Sequence, residues 1–172
     1  SRDIPGMYTS LLMGDMGAEV IKIEPLGGDS LRSDPNYRFY NRGKKSICLD
    51  LSSDKEMEDL HSLIKSSDVI VTTWLLSEAK SIFLDYETLS KINSSILHCS
   101  IPPYGDVGPM ADIPGDEGTI GTYTGIHEGQ GGETGTPLYV QLPFPTYGTA
   151  FTASLAVSAA LFERETSGLG QK

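Results

Sequence analysis

The chain has few cysteines, few basic residues and no long apolar run, and each deficit excludes a class of protein. Its 172 residues contain 13 Lys and Arg against 23 Asp and Glu, for a formal net charge of −10. This sign disfavours nonspecific binding to nucleic acid and to anionic membranes, because both attract basic surfaces. No apolar run approaches the roughly 18 residues that a membrane-spanning helix needs. We therefore expect neither a nucleic-acid nor a membrane partner.

Only two cysteines are present, and both lie inside apolar, strand-like runs. Cys48 and Cys99 are expected to be buried thiols rather than a disulfide or a metal pair, which favours a reducing cytoplasmic location. The histidines His61, His98 and His127 lack metal-ligand spacing. We expect no metal site and no permanently bound cofactor. His127, in a glycine-rich loop, is the one histidine retained as a candidate site residue.

Apolar residues recur with periods that alternate between helix and strand. Helices are predicted over 6–16, 55–65, 86–92 and 147–165, and buried strands over 20–23, 47–51, 68–71 and 96–101. Strands alternating with helices at this spacing are typical of a parallel sheet covered by helices on both faces. The predicted fold class is α/β, Rossmann-like, with all four strands in one common sheet.

Length and composition bound the domain organisation. With 38% hydrophobic residues and 10 prolines, the chain can bury one sizeable core. Residues 102–145 are rich in glycine, proline and acidic residues, and are too long for a plain connection. We expect a Rossmann-like core over 1–101, a Gly/Pro-rich active-site region over 102–145 and a helix over 146–166.

Two segments near the start of the chain carry a family resemblance. Residues 11–25 read LLMGDMGAEVIKIEP, residues 27–29 read GGD, and residues 41–51 read NRGKKSICLDL. In this order they resemble the opening of the class III CoA-transferases, whose pattern is roughly LLADLGAEVIKVEPPGGD followed by NRGKRSIALDL. This superfamily includes formyl-CoA transferase, carnitine CoA-transferase and α-methylacyl-CoA racemase. The resemblance implies the large domain of an enzyme that uses acyl-CoA to move coenzyme A between carboxylic acids.

The resemblance covers nearly all of this chain but only part of a family member. It starts just after the family's first strand, and family members continue for about as long again beyond residue 172. We therefore expect 1–172 to be a partial large domain. Family members form interlocked dimers, some of them from two different chains, so the resemblance also implies a homologous partner subunit.

The GGD at 27–29 lacks the spacing of a nucleotide-binding loop. It does not form a GxGxxG motif directly after a strand, and no Walker lysine follows. We expect Gly27 and Gly28 to shape a turn and Asp29 to cap the next segment.

The dense basic cluster of Arg42, Lys44 and Lys45 is the first candidate for a coenzyme contact. One interpretation is a solvated surface turn. The other is a site for the 3′-phosphate and diphosphate of coenzyme A, because fixed cations form strong charge-assisted hydrogen bonds with phosphate. In the family this turn lies close to the acyl-CoA region.

A second candidate contact follows the third strand. Where relatives read VENF, residues 71–74 read VTTW, which puts Thr73 and Trp74 at the nucleotide-contacting positions. Trp74 either stacks on the adenine ring or belongs to the core. Ser81 stands where relatives carry an arginine or lysine, with Lys80 beside it. The resemblance thus implies a coenzyme site that is altered and weakened.

Two further matches concern the chemistry. Residues 114–117 read PGDE and match the family's PG[YH][DE], which puts Glu117 where relatives carry an active-site acid. Asp116 takes the place of a histidine that is an acid/base group in the racemase branch; alternatively, a turn ends here and Asp116 caps a helix. Residues 140–150 read VQLPFPTYGTA where relatives read about VGVPVADLAAG. Thr146 therefore occupies the position of the nucleophilic aspartate.

A threonine hydroxyl is a poor substitute for that aspartate. The family's carboxylate attacks the thioester to form a mixed anhydride, whereas threonine must first lose a proton to a base. We expect Thr146 to cap the helix that follows. The predicted function is a CoA-transferase subunit that does not supply the nucleophile. A non-catalytic acyl-CoA-binding or structural subunit and a racemase-branch isomerase are the alternatives.

Overall fold

The computed structural model describes residues 3–131 and 135–172. Residues 132–134, which belong to the Gly/Pro-rich region, and residues 1–2 lie outside the described part. The helices are α1 (Ile4–Asp15), α2 (Tyr37–Tyr40), α3 (Asp54–Ser66), α4 (Leu76–Ser81), α5 (Tyr86–Ile92), α6 (Glu117–Tyr123), α7 (Ile126–Gly129) and α8 (Phe144–Ser167), with a 3₁₀ turn over Ser30–Ser33. The strands are β1 (Ile21–Glu24), β2 (Lys45–Cys48), β3 (Val69–Thr72) and β4 (Leu97–Ser100).

The strands form two parallel pairs. In one pair Ile21 of β1 lies opposite Lys45 of β2, and in the other Val69 of β3 lies opposite Leu97 of β4. The α/β class with parallel strands is confirmed. The expectation of one common sheet is wrong for the described residues, where no strand pairing joins the two pairs. Apolar periodicity predicts where strands occur but not which strands share hydrogen bonds.

The two strand pairs nevertheless share one hydrophobic core. Ile23 of β1 and Ile70 of β3 pack against the same buried cluster. Helix α3 contributes through one apolar face and carries acidic residues in its first turn. The cluster consists of Leu49, Leu60, Ile64, Leu84, Leu89 and Ile96. Each of these side chains contributes roughly 1.5–3 kcal/mol on burial.

Helices α1 and α8 pack closely because small residues face each other. Thr9 of α1 and Ala150 of α8 are both fully buried, and Ser154 is nearly so. The Ser154 hydroxyl donates to the Ala150 carbonyl oxygen at 2.8 Å, within its own helix. Since few bulky side chains separate the two backbones, α8 lies against the N-terminal helix over much of its length.

Residues 168–172 lie along β4. The amide of His98 donates to the carbonyl oxygen of Gln171 at 2.9 Å, and the amide of Gly170 donates to Ser94 at 2.8 Å. A Cβ on Gly170 would lie 2.1 Å from the carbonyl oxygen of Ile96, so only glycine allows this approach. Both edges of β4 therefore have a backbone neighbour.

The prediction that both thiols are buried is wrong for Cys48, which is exposed. All four residues of β2 are exposed, and among the described residues β1 is the one strand paired with β2. Cys99 of β4 is partly buried, and burial raises the pKa of its thiol to about 11. The apolar residues of a strand do not reveal whether another element packs against it.

One face of α8 is apolar and exposed. The residues on this face are Phe144, Phe151, Leu155 and Phe162, which we call the α8 stripe. At a spacing of 7, 4 and 7 positions they align along one side of the helix. Leu155 is 72% exposed and Phe162 is 80% exposed. Among residues 3–131 and 135–172, no helix combines the length and apolarity that crossing a membrane requires.

Candidate functional site

The start of α6 and the first turn of α8 bring Glu117 and Thr146 into contact. The Thr146 hydroxyl donates to Oε2 of Glu117 at 2.5 Å, and the Thr146 amide donates to the same oxygen at 3.0 Å. Both side chains are half-buried. A carboxylate here also faces the positive end of the 24-residue helix α8. The two residues that the sequence singled out for chemistry are therefore direct partners.

The expectation that Thr146 caps α8 is wrong. The helix begins at Phe144 with Pro143 as its N-cap, so Thr146 is the third helical residue. Pro145 favours this earlier start, because proline in the first turn has the helical φ and needs no hydrogen-bond acceptor. Glu117, from the neighbouring helix, accepts the free amide that a local cap would otherwise satisfy.

Asp116 caps α6, which confirms the structural alternative for this residue. Its carboxylate accepts the Thr119 amide at 2.9 Å, and the Thr119 hydroxyl accepts the Asp116 amide at 2.8 Å. This reciprocal pair is a capping box. Hydrogen bonds from the Thr119 backbone and side chain lower the pKa of Asp116.

The basic residues after α2 have separate partners. Arg42 pairs with Asp15, and Lys45 pairs with Glu19 at 2.7 Å, both on the surface. Lys44 points inward instead: its Nζ donates to the Met7 carbonyl oxygen at 2.7 Å. Burial, with a smaller contribution from Lys22, lowers the pKa of Lys44 to about 7. The structure thus separates Lys44 from the exposed cations on either side of it.

The second set of predicted coenzyme contacts follows β3. Thr73 and Trp74 are half-buried, and each has an interaction partner within the chain. Lys80 is exposed on α4. The start of α4 is held by Asp112, which accepts the Ser77 amide at 2.8 Å.

Aromatic rings connect α1, α2 and α8 beside Thr146. The Tyr147 hydroxyl lies 3.2 Å from the Tyr40 hydroxyl, which joins α8 to the helix that precedes the basic cluster. The Tyr8 ring lies 5.3 Å from that of Tyr147 and 5.7 Å from that of Phe151, both edge-on. Sequence reasoning missed this cluster, because its members are far apart along the chain and follow no local motif.

A second cluster that sequence reasoning missed is a buried polar network around Lys22 and Glu24 of β1. Lys22 forms an ion pair with Asp29, and Glu24 accepts hydrogen bonds from the Tyr37 hydroxyl at 2.8 Å and from Arg32. Burial alone raises the pKa of Glu24, but hydrogen bonds from Tyr37, Arg32, Asp29 and Ser46 outweigh it and lower the pKa to about 2. The charged positions alternating with isoleucine in β1 were the available signal.

The turn at 27–29 behaves as the sequence predicts. Gly27 and Gly28 have φ values of 93° and 89°, a backbone conformation that favours glycine. Asp29 caps the 3₁₀ turn by accepting the Leu31 amide at 2.8 Å.

His98 and His127 occupy distinct buried positions. Nε2 of His98 lies 2.8 Å from the Thr72 hydroxyl, and burial lowers the pKa of His98 to about 4. His127 is 8% exposed and lies between α6 and the segment at 138–140. In the part of the chain that the structure describes, no group of histidine, cysteine and carboxylate side chains is arranged to hold a metal ion.

An open apolar groove of about 300 Å³ lies between the 103–110 loop and α6. Its walls include Tyr104 and Tyr123, whose rings meet edge-on with centroids 5.5 Å apart. Neither Glu117 nor Thr146 lines this groove. The contact between Glu117 and Thr146 therefore lies outside this apolar groove.

Comparison with known proteins matches the whole chain to one family. The family model described as CoA-transferase family III covers residues 1–172. The chain belongs to CoA-transferase family III. The chain is 30% identical to succinate–glutarate CoA-transferase of Agrobacterium fabrum, over 99% of the chain and 47% of the relative. It is 32% identical to succinyl-CoA:mesaconate CoA-transferase of Haloarcula hispanica, over 98% of the chain and 47% of the relative.

Solved structures agree with this assignment. A CAIB/BAIF family protein from Brucella suis superposes with a TM-score of 0.90 at 30% identity, over 97% of this chain and 48% of that protein. A hypothetical protein from Mycobacterium tuberculosis gives a TM-score of 0.91 at 25% identity, over 98% of this chain and 49% of that protein. The chain thus spans about half the length of the relatives it matches.

Proposed function

We propose that this chain is a subunit of a CoA-transferase that moves coenzyme A between carboxylic acids, and that it does not supply the nucleophile. The observation that carries the proposal is the environment of Thr146, which the resemblance puts at the aspartate position. Its hydroxyl donates to Glu117, and no histidine nitrogen contacts it among the described residues. Family membership supports the reaction class.

The chemistry explains why Thr146 is unsuited to the reaction. In the family's reaction a carboxylate attacks the thioester carbonyl carbon, the C–S bond breaks, and CoA thiolate leaves a mixed anhydride. Thiolate then attacks the enzyme's acyl carbon and expels the first carboxylic acid, giving an enzyme-bound thioester. A threonine hydroxyl must first lose its proton, and a carboxylate such as Glu117 is too weak a base to remove it at neutral pH. The nucleophilic aspartate is therefore assigned to a partner chain.

The proposed coenzyme contacts are Arg42, Lys44 and Lys45 for the phosphates, and Thr73, Trp74 and Lys80 for the nucleotide. Arg42 and Lys45 are exposed, and their surface ion pairs are weak enough to be exchanged for phosphate. Lys44 must instead give up buried acceptors. We expect a dissociation constant for coenzyme A above about 1 μM, the equivalent of about −8 kcal/mol, by calorimetry.

The proposed partner is a homologous CoA-transferase subunit that covers the α8 stripe. A contiguous apolar surface of this kind is typical of a protein–protein interface. The stripe starts at Phe144, two residues before Thr146, so a subunit packed on it lies beside the candidate site.

Trapping of the acyl-enzyme tests the proposal. The intact protein is incubated with acyl-CoAs, including succinyl-CoA, and with glutarate, mesaconate or phenyllactate as acceptors. Borohydride then reduces any enzyme-bound thioester, and mass spectrometry maps the change. We expect no adduct on this chain and an adduct on a partner aspartate. Thr146→Val should leave transfer intact, as should Thr149→Val, its exposed control on α8. A mapped adduct at Thr146 or Glu117 contradicts the proposal.

Two alternatives remain distinguishable. A purely acyl-CoA-binding subunit predicts binding without transfer in every combination of chains. A racemase-branch isomerase predicts exchange of the substrate's α-hydrogen in D₂O, which needs an acid and a base at the α-carbon. The capping role of Asp116, at the position of the racemase histidine, argues against isomerisation.

A further inference from the structure

His127 lies where helix α6, helix α7 and the segment that leads into α8 meet. The Val140 amide donates to Nδ1 of His127 at 3.3 Å. The Leu138 amide donates to the main-chain carbonyl oxygen of His127 at 3.0 Å. One residue thus holds both ends of the 138–140 segment, and it does so through its backbone at one end and its side chain at the other.

The His127 ring fits a space that only glycine leaves open. A Cβ on Gly121 of α6 would lie 2.7 Å from Nε2 and 2.8 Å from Cε1 of the ring. On its other side the ring lies against Tyr139, with centroids 5.0 Å apart. The imidazole is therefore packed between α6 and the 138–140 segment, and it is 8% exposed.

The hydrogen bond from the Val140 amide also determines the tautomer of the neutral His127 ring. Because Nδ1 accepts, the proton of the neutral imidazole lies on Nε2, which is buried without a partner among the described residues. A buried donor left unsatisfied is costly, so a plain packing role does not account for histidine at this position. The acceptor at Nδ1 does account for it.

The 138–140 segment in turn reaches the candidate site. Tyr139 lies over Gly118, where an added Cβ would be 3.4 Å from its Cε2 atom. Gly118 directly follows Glu117, the partner of Thr146. Tyr139 is 63% exposed, so its ring lies at the surface against α6 rather than in the core.

We infer that His127 is a positioning residue that holds the 138–140 segment on α6, placing Tyr139 beside Glu117 and fixing the approach of the chain to the first turn of α8. This inference rests on the proposed function only for its effect on transfer. The hydrogen bond from the Val140 amide to His127 can be measured without any substrate.

Two substitutions test the contribution of the Nδ1 acceptor separately from that of the flat ring. His127→Asn keeps an acceptor near the place of Nδ1, whereas His127→Phe keeps a flat ring and removes the acceptor. Amide hydrogen exchange by NMR should be about tenfold faster at Val140 in His127→Phe, and should stay within about threefold of the original in His127→Asn. Leu138 bonds to the main chain, so its exchange should change less. Equal exchange of Val140 in all three proteins overturns the inference.

A matched pair of glycines on α6 gives an independent test if His127→Phe does not fold. Gly121→Ala displaces the His127 ring and should accelerate Val140 exchange, whereas Gly118→Ala meets Tyr139 at an ordinary contact distance and should not. Identical exchange in these two variants also overturns the inference.

The same variants report on transfer in the assembled protein. We expect kcat to fall in His127→Phe and to recover in His127→Asn, because positioning depends on the acceptor. Equal kcat values in these two variants contradict the positioning role. If the assembled original protein transfers no CoA, the proposed function fails, while the exchange data still decide what His127 does.

Discussion

At the scale of single residues, the most consequential contact is the one between Glu117 and Thr146. One carboxylate oxygen accepts both the hydroxyl and the amide of Thr146, at the end of a long helix that attracts negative charge. An aspartate at position 146 would face this carboxylate rather than open solvent. We therefore expect the effect of a change at position 146 to depend on Glu117.

Thr146→Asp should therefore destabilise the fold and restore little transfer. Two carboxylates at this distance resist ionising together, and we expect a loss of about 1–3 kcal/mol at pH 7.5 by urea unfolding, shrinking toward pH 4. Adding Glu117→Gln should recover most of the loss. Thr149→Asp on the exposed side of α8 is the control. If Thr146→Asp and the original protein unfold at the same urea concentration, Glu117 does not destabilise an aspartate at position 146.

Lys44 gives a second prediction, which concerns pH. Its pKa is about 7 in the folded chain but close to the ordinary lysine value in the unfolded chain. Between these values the unfolded chain binds a proton that the folded chain has released, so stability rises with pH. After allowance for partial exposure, we expect the free energy of unfolding to increase by about 1 kcal/mol from pH 7 to 8.5.

Lys44→Met should remove this increase, whereas Lys45→Met, at an exposed ion pair, should keep it. Denaturant unfolding of both variants at the two pH values makes the comparison. If the free energy of unfolding rises equally with pH in Lys44→Met and in the original protein, other groups cause the increase.

At the scale of elements, the contact between α1 and α8 depends on small side chains. Ser154 is buried opposite α1, while Ser158, one turn further along α8, is exposed. The backbones approach closely here, so the space for a larger residue is absent.

Ser154→Leu should accordingly cost about 1–3 kcal/mol through overpacking, as judged by thermal or urea unfolding. Ser158→Leu makes the same chemical change on the exposed side and should cost less than about 0.5 kcal/mol. Comparable losses in both variants would show that helix propensity, and not packing against α1, sets the effect.

At the scale of the whole molecule, the α8 stripe concerns assembly. Its apolar side chains lie along one exposed side of a 24-residue helix, beside the candidate site. Such a surface promotes association unless a partner subunit covers it.

Leu155→Glu with Phe162→Glu should weaken association with a partner subunit at least tenfold, as measured by light scattering. Thr149→Glu adds one negative charge to α8 away from the stripe and should have little effect. Unchanged assembly in the double variant would place the partner elsewhere.

The sequence by itself determined the family, the α/β class and the main elements, because these depend on local period, turn residues and motif order. The turn at Gly27 and Gly28 and the cap at Asp116 follow from residue chemistry within a few positions. It also singled out Glu117 and Thr146, though through a resemblance and without showing that they touch.

Only the tertiary structure decided how distant segments combine. It separated the strands into two pairs, turned Lys44 inward, exposed Cys48 and gave the capping of α8 to Glu117. It also decided which partners surround Glu24 and which contacts His127 makes. All of these differences have the same physical reason. Periodicity indicates which side of an element is apolar, whereas strand pairing, burial and hydrogen bonds depend on which other element packs against it.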